Sequence, residues 1–150
     1  MPSPAPASPV PFRFEASTPL RWVDVDSEGI VNNAVYLSLV EQARFAYFEH
    51  LALLTGGKVP FVLADARMTF VRPGRLGMEV ITAARVSRLG RSSFDMAYEV
   101  LGDSQVLVRS TAVLVFVGAD LRPVPIDAHI WAKIAAFEGL QEVRADGPVG

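Results

Sequence analysis

The chain has 150 residues, with 14 basic and 16 acidic side chains and a formal net charge of -2. Because these charges nearly cancel, no general field favours nucleic acid or an anionic membrane surface. The absence of cysteine excludes a disulfide framework, a thiolate nucleophile and a cysteine-based zinc site, and it is compatible with a reducing compartment. The sequence has no run of about 18 apolar residues to span a membrane. We therefore expect a cytoplasmic protein.

The two ends of the chain are predicted to lie outside the fold. Residues 1–11 carry prolines at positions 2, 4, 6, 9 and 11, which prevent regular pairing and are typical of a disordered tail. This segment has neither a basic start nor an apolar run, so it does not resemble a secretory signal. Residues 12–138 are predicted to form a single domain, and residues 139–150 a C-terminal tail.

The first predicted elements are a strand and one helix. Apolar residues alternate with more polar ones between Phe12 and Trp22, as they do in a strand. A helix is predicted from Asn33 to Leu54, ended by Gly56 and Gly57. Most of its circumference is apolar, so other elements must cover it. Its polar residues form one narrow stripe, which consists of Ser38, Glu41, Gln42 and Glu49.

Four further strands are predicted, at residues 61–71, 78–86, 93–101 and 106–117. The turns at residues 88–91 and 102–103 are short, which favours antiparallel neighbours. A short helix is predicted at residues 128–137, with Asp127 as its N-cap. The pattern indicates an α+β protein, in which an antiparallel five-stranded sheet is wrapped around a long central helix.

The stretch DVDSEGIVNNAVY, residues 24–36, runs from a carboxylate-rich loop directly into the predicted helix. The first backbone N–H groups of a helix lack intrahelical partners and carry the positive end of the helix dipole. They can polarise a carbonyl group while a nearby carboxylate acts on it as a base or a nucleophile. The stretch therefore predicts an acyl-transfer site.

This stretch, followed by VEQARFAYF, resembles the signature of hotdog-fold acyl-CoA thioesterases of the 4-hydroxybenzoyl-CoA thioesterase type. Three later segments are also similar to that family: RMTFVRPGRLG, RLGRSSFDMAYEV and RPVPI. The resemblance covers about residues 12 to 137. One position departs from the family pattern, because Ile30 stands where the family usually has His.

The resemblance implies hydrolysis of an acyl-CoA or acyl-carrier-protein thioester to a carboxylic acid and a free thiol. Asp26 would act as general base or nucleophile, and the backbone N–H of Asn33 would polarise the thioester carbonyl. The implied enzyme needs no metal and no other cofactor, and it forms a homodimer or homotetramer. The implied substrate-binding residues are Gly29, Val31, Asn32, Tyr36, Arg72, Pro73, Arg88, Gly90, Arg91, Ser92 and Ser93.

The turn at residues 88–93 is the predicted contact for the nucleotide end of CoA. Arg88 and Arg91 flank Gly90 in this turn, and two serines follow. Such a turn can present guanidinium, hydroxyl and backbone donors to a phosphate. Scattered arginines are also common as solubilising groups, so both interpretations of this turn stay open.

The paired carboxylates Asp24 and Asp26 also fit two other interpretations. A solvated turn with local side-chain hydrogen bonds is one of them. Calcium is the other, because Asp24-x-Asp26-x-Glu28-Gly29 is similar to the start of an EF-hand loop. The twelfth position of that loop would be Val35 rather than Glu, which disfavours calcium.

Other titratable residues bear on the chemistry. Glu41 is the alternative catalytic carboxylate, because a second branch of hotdog thioesterases resembles this fold and carries its acid on the central helix. His50 and His129 are far apart and in no metal-ligand spacing, so structural roles are favoured. No G-x-S-x-G elbow is present, and residues 56–59 lack the pattern of a phosphate loop.

Two rival functions remain open. A non-catalytic acyl-CoA-binding hotdog module would need the pocket but not Asp26. A hotdog dehydratase or hydratase resembles this fold but generally relies on a histidine on or beside the central helix. Ile30 disfavours that class, and His50 lies too far along the helix to replace the missing ring.

Overall fold

A computed structural model describes residues 11–140, so the predicted tails lie almost entirely outside the described residues. The elements in chain order are β1 (Phe14–Ser17), a 3-10 helix (Trp22–Asp24), α1 (Val35–His50), β2 (Phe61–Phe70), β3 (Val80–Leu89), β4 (Ser93–Gly102), β5 (Gln105–Phe116) and α2 (Ala128–Glu138). Within the described residues, no helix is long and apolar enough to cross a membrane.

The five strands form one antiparallel sheet in the order β1-β3-β4-β5-β2. Short turns join β3 to β4 and β4 to β5, as the sequence predicts. Register shifts interrupt the ladders at Leu63/Asp65, Val86/Arg88 and Val100/Leu101. Such irregularities bend strands and increase their twist, which lets a sheet curve around a helix. The predicted five-stranded antiparallel sheet is therefore confirmed.

Helix α1 has 16 residues and is shorter than the predicted span from Asn33 to Leu54. It ends early because Ala52 adopts a φ of 55°, and the N–H groups of Ala52 and Leu53 then bond back to the carbonyls of Glu49 and Phe48 at 2.9 and 2.8 Å. Alanine rarely adopts a left-handed conformation, so the amino-acid sequence around Ala52 does not predict that α1 ends there. The description of α1 as a long helix is not confirmed.

The predicted helix stop at Gly56 and Gly57 is wrong, because the helix has already ended at His50. Both glycines have positive φ, at 58° and 72°, and they form a turn between Thr55 and Lys58. Two consecutive left-handed residues are the geometry for which glycine is suited.

Helix α1 packs against β1, β3 and β4, and its polar stripe is exposed as predicted. One charged residue, Arg44, is nevertheless buried on its inner face. Further along the helix, Phe48 joins a cluster of rings from three strands, namely Phe61, Phe94 and Phe116. These rings tie β2, β4 and β5 to the helix.

The first strand is shorter than predicted, because β1 covers only Phe14–Ser17. Pro19 follows, and its fixed φ and missing N–H prevent the strand from continuing. Trp22 then lies in the 3-10 helix and is 80% exposed.

At the other end of the domain, the predicted N-cap of α2 is confirmed. The carboxylate of Asp127 accepts the N–H groups of His129 and Ile130 at 2.9 and 3.4 Å.

Candidate active site

The loop before α1 is a tight hairpin. The N–H of Asp26 donates to the carbonyl of Ile30 at 2.8 Å, and the N–H of Gly29 donates to the carbonyl of Asp26 at 3.0 Å. Val25 and Val31 pair as an antiparallel bridge on either side. Gly29 has a φ of 76°, which explains why a glycine stands at this point of the turn.

Within this hairpin the carboxylate of Asp26 is fixed by backbone donors. Its Oδ1 accepts the N–H of Glu28 at 2.9 Å and that of Ile30 at 3.0 Å. Its Oδ2 has no hydrogen-bond partner among residues 11–140, and the residue is exposed. One oxygen therefore orients the group, while the other is open to water or substrate.

The entry to α1 leaves one backbone donor open. The carboxamide oxygen of Asn32 accepts the N–H of Ala34 at 3.2 Å, and the carbonyls of Asn32 and Asn33 accept the N–H groups of Val35 and Tyr36. The N–H of Asn33 has no acceptor among the residues that the structure describes. It is the donor that the sequence singled out for a carbonyl oxygen.

Asp24 has a structural position instead. It is 4% exposed, and its carboxylate accepts the backbone N–H of Arg21 at 2.7 Å and Nη2 of the same arginine at 2.8 Å. These hydrogen bonds hold the pKa of Asp24 below its usual value. The carbonyl of Asp24 accepts the N–H of Asn32 at 2.9 Å, which ties the helix entry to the opposite limb of the hairpin.

A segment more than forty residues further along the chain holds the hairpin in place. The N–H of Val31 donates to the carbonyl of Gly74 at 2.9 Å, and the N–H of Leu76 donates to that of Gly29 at 3.1 Å. The hydroxyl of Tyr36 accepts the N–H of Gly74 at 3.1 Å. Tyr36 is buried, so the structure gives this predicted binding residue a supporting position behind the loop.

Gly74 is part of the site although it was not among the predicted residues. A Cβ at this position would lie 2.6 Å from the hydroxyl oxygen of Tyr36, so only glycine lets the two segments approach. In the sequence, the feature that could have identified Gly74 is its position directly after Arg72 and Pro73. Arg72 and Pro73 are both exposed next to it, and Nη1 of Arg72 donates to the carbonyl of Val106 at 3.1 Å.

The turn at residues 88–93 is partly occupied by its own contacts. Arg88 donates through Nε and Nη2 to both carboxylate oxygens of Asp95, at 3.0 and 2.9 Å, and through Nη2 to Oγ of Ser93. The carbonyl of Gly90 accepts Nε1–H of Trp131 at 3.3 Å. Arg91 is exposed, and its guanidinium makes no hydrogen bond among residues 11–140.

Within one chain, this turn is far from Asp26. The turn follows Leu89 at one end of β3, while Val80, at the other end, pairs with Gly102. Leu107 lies against both Gly102 and Gly74, so the Asp26 hairpin belongs to the Gly102 end. The ten residues of β3 span about 30 Å at about 3.3 Å per residue. The structure therefore brings the hairpin and residues 72–74 together, but not residues 88–93.

The match to known families decides the class of this protein. Residues 28–108 match the family model described as the thioesterase superfamily. The matched range includes Asn33 and begins two residues after Asp26. The chain belongs to the thioesterase superfamily. Its sheet and helix are those of hotdog thioesterases, and thioester hydrolysis is the activity of this family.

Relatives of this thioesterase support the assignment. A thioesterase from Thermus thermophilus, crystallised in complex with coenzyme A and Zn, is 37% identical with a TM-score of 0.78, over 85% of this chain and 96% of that one. A thioesterase superfamily protein from Jannaschia sp. CCS1 is 25% identical with a TM-score of 0.77, over 88% and 87% of the two chains. The chloroplastic acyl-acyl carrier protein thioesterase ATL3 of Arabidopsis thaliana is 25% identical over 129 residues, 82% of this chain and 68% of its own.

The remaining polar candidates of the thioesterase lie apart from the hairpin. Glu41 is exposed on α1. The ring of His50 packs against Phe14 and Phe137, with ring centroids 5.4 and 5.8 Å apart, which is a structural environment. Residues 11–140 contain no group of three or more His, Asp or Glu residues placed to hold a metal ion.

Proposed function

We propose that this thioesterase hydrolyses acyl-CoA thioesters by means of Asp26, as in the 4-hydroxybenzoyl-CoA thioesterase type, within a single domain at residues 12–138. One observation carries the proposal. The fixed carboxylate of Asp26 and the open N–H of Asn33 both belong to the hairpin that leads into α1. Coenzyme A bound to the 37% identical Thermus thermophilus relative supports CoA as the thiol carrier.

In the proposed reaction, Asp26 is the general base. Its open oxygen takes a proton from a water molecule, and that water attacks the thioester carbonyl. The N–H of Asn33 donates to the carbonyl oxygen as negative charge develops on it. The tetrahedral intermediate then collapses with cleavage of the C–S bond, and the departing thiolate takes the proton from Asp26, which gives the carboxylic acid and the CoA thiol. A general base is favoured over a nucleophile because Asp26 is exposed, which leaves room for water beside it.

The substrate-binding residues fall into two groups. We propose that Gly29 and Asn32 line the reacting end, that the buried Val31 supports them from the core, and that Arg72 and Pro73 border the site. Arg88, Gly90, Arg91, Ser92 and Ser93 lie about 30 Å away along β3 and β4. One substrate that touches both groups therefore needs a second subunit, which supports the proposed homodimer or homotetramer.

The Arabidopsis relative supports a second form of substrate, an acyl group on a carrier protein. The decisive assay measures thiol release from matched acyl-CoA and acyl-carrier-protein thioesters, with a panel of aliphatic, hydroxylated and aromatic acyl groups. We expect turnover of at least one acyl-CoA. Equally slow turnover of every thioester would favour a non-catalytic binding module.

Asp26→Asn should lower kcat by at least about a hundredfold and leave KM little changed, because it removes an interaction made in the transition state. Asp24→Asn should reduce kcat less. Glu41→Gln is the matched control on α1 and should retain activity. If Glu41→Gln abolishes turnover while Asp26→Asn spares it, the carboxylate has been assigned to the wrong element.

A further inference from the structure

Arg44 is a charged residue on the inner face of α1, 6% exposed. Its Nε donates to the hydroxyl of Tyr98 at 2.8 Å, and its guanidinium carbon lies 5.6 Å from the centre of the Tyr98 ring. Its Nη2 is buried and has no hydrogen-bond partner in the structure. Among residues 11–140, no ion pair involves Arg44.

A buried cation without an anion is expensive, because neither water nor a counter-charge replaces its hydration shell. Tyr98 does not supply that charge. Burial raises the pKa of Tyr98 to about 12, so its hydroxyl stays neutral and serves as a hydrogen-bond acceptor for Arg44. Tyr98 therefore provides no negative charge to the guanidinium, and the Nη2 donor of Arg44 stays unused.

Arg44 lines a pocket of about 230 Å³ between α1 and the β2–β5 side of the sheet. The other walls are mostly apolar and include Phe45, Phe61, Leu63 and Leu114. An apolar pocket with a few convergent polar groups is typical of a small-molecule site. The pocket lies on the same helix as the proposed reaction site, further from its N-terminus.

Glu41 is the other charged residue of this pocket, and it lies one helical turn before Arg44. It is exposed and forms no ion pair with Arg44. No negative side chain among residues 11–140 therefore neutralises Arg44 by direct contact.

We propose that the Arg44 pocket binds a carboxylate at the distal end of the acyl group, so that the substrates include CoA thioesters of dicarboxylic acids. This inference rests on the proposed thioesterase function. The planar guanidinium matches a carboxylate in shape and charge. Arg44 lies eleven residues beyond Asn33, which is about 16 Å along a helix. The acyl chain would extend along α1 from the reacting carbonyl to Arg44.

The test compares dodecanedioyl-CoA with lauroyl-CoA, which have the same chain length and differ in the distal carboxylate. The wild-type enzyme should show a kcat/KM at least about tenfold higher for dodecanedioyl-CoA, the effect of one charged hydrogen bond. Arg44→Met should abolish this preference mainly through KM, and Arg44→Lys should keep part of it. Arg122→Met is the control, since Arg122 is an exposed arginine that does not line the pocket, and it should behave as wild type.

Equal rates for the two thioesters in the wild type, or a preference unchanged in Arg44→Met, would overturn the proposal. Circular dichroism checks that each variant is folded, and Arg44→Lys provides the comparison if Arg44→Met does not fold. Calorimetry with free dodecanedioate and laurate separates this inference from the proposed function. If neither thioester is hydrolysed, the binding comparison alone decides this inference, and the thioesterase proposal fails only if every thioester of the panel is refused. Tighter binding of dodecanedioate, lost in the Arg44 variants, would still support the pocket, and equal binding would refute it.

Discussion

Asp24 and Asp26 are two residues apart, yet the fold gives them opposite environments. Asp24 is buried and bonded to Arg21, whereas Asp26 is exposed with one open oxygen. Arg21 makes the difference, because a 3-10 turn brings it onto the carboxylate three residues later. The D-x-D pattern locates the hairpin, but only the structure shows this support by Arg21.

The pairing of Asp24 should make stability depend on pH. Its pKa is lowered in the folded state, so its ionised form contributes stability above the ordinary carboxyl pKa of about 4. That contribution is lost as the pH falls through the lowered pKa. Asp24→Asn should therefore reduce Tm at neutral pH, and the gap from wild type should shrink in acid.

Asp65→Asn is the matched control, because Asp65 forms an exposed pair with Arg67 at 3.8 Å. Exposed pairs contribute little, so this variant should melt close to wild type at every pH. Thermal melts followed by circular dichroism give the comparison. A gap for Asp24→Asn that stays constant down to strongly acid pH would show that Asp24 acts through packing rather than charge.

The two possible roles of Asp26, general base and nucleophile, can be distinguished by whether oxygen from the solvent enters its side chain. If the carboxylate attacked the thioester, water opening the resulting anhydride at the aspartyl carbonyl would leave solvent oxygen in the side chain. A general base never gains it. We expect no label in the peptide that spans Asp26 after a single turnover in oxygen-18 water with excess enzyme. Mass analysis showing label there would establish the nucleophilic route.

The elements differ in how well the sequence predicts them, and the reason is the range of the forces involved. The alternation that predicts β4 is local, and β4 spans Ser93–Gly102, within one residue of the prediction. The end of α1 depends on the left-handed Ala52, and the role of Gly74 depends on its contact with Tyr36. Neither is visible in a local pattern. The burial of Arg44 has the same cause, since only the sheet around α1 determines which of its faces is enclosed.

In the turn between β3 and β4, the contacts distinguish the two arginines. Arg88 is hydrogen-bonded to Asp95 and Ser93, whereas Arg91 is exposed and makes no side-chain hydrogen bond within the described part of the chain. Arg91→Ala should therefore raise KM for acyl-CoA and flatten its dependence on ionic strength, because a charge-assisted phosphate contact is screened by salt. It should leave kcat nearly unchanged.

Arg88→Ala is the comparison. It should lower Tm more than Arg91→Ala does, because it breaks the contacts inside the turn, and it should raise KM less than Arg91→Ala does. A pantetheine thioester without the nucleotide should not distinguish Arg91→Ala from wild type. If Arg91→Ala raises KM for that short substrate as much as it raises KM for acyl-CoA, Arg91 is not a contact for the nucleotide phosphates.

At the scale of the whole molecule, β2 is one of the two edge strands of the sheet, and it is the longer of the two. One edge of this strand pairs with β5 and its other edge is unpaired, and three of its apolar side chains, Val62, Leu63 and Phe70, are between 37% and 49% exposed. An open edge with apolar side chains favours association with another strand. The proposed second subunit therefore has a surface on which to pack.

Val62→Asp should accordingly lower the mass measured by light scattering after size-exclusion chromatography, because it places a charge on that edge. Leu121→Asp is a matched control, since Leu121 is also an exposed apolar residue but lies in the loop after β5. It should leave the mass unchanged. A wild-type protein that is already monomeric would contradict the proposed oligomer.

If the Asp26 hairpin is the reaction site, as proposed, its contact with Gly74 also sets the point in folding at which the site is complete. A nascent chain that ends before Gly74 already contains Asp26 and Asn33, but it lacks the carbonyl and N–H groups that fasten their hairpin. Closing so long a loop is slower than forming a local turn. The proposed catalytic groups are made early during synthesis, and we expect them to become an ordered pair only when the second half of the domain arrives.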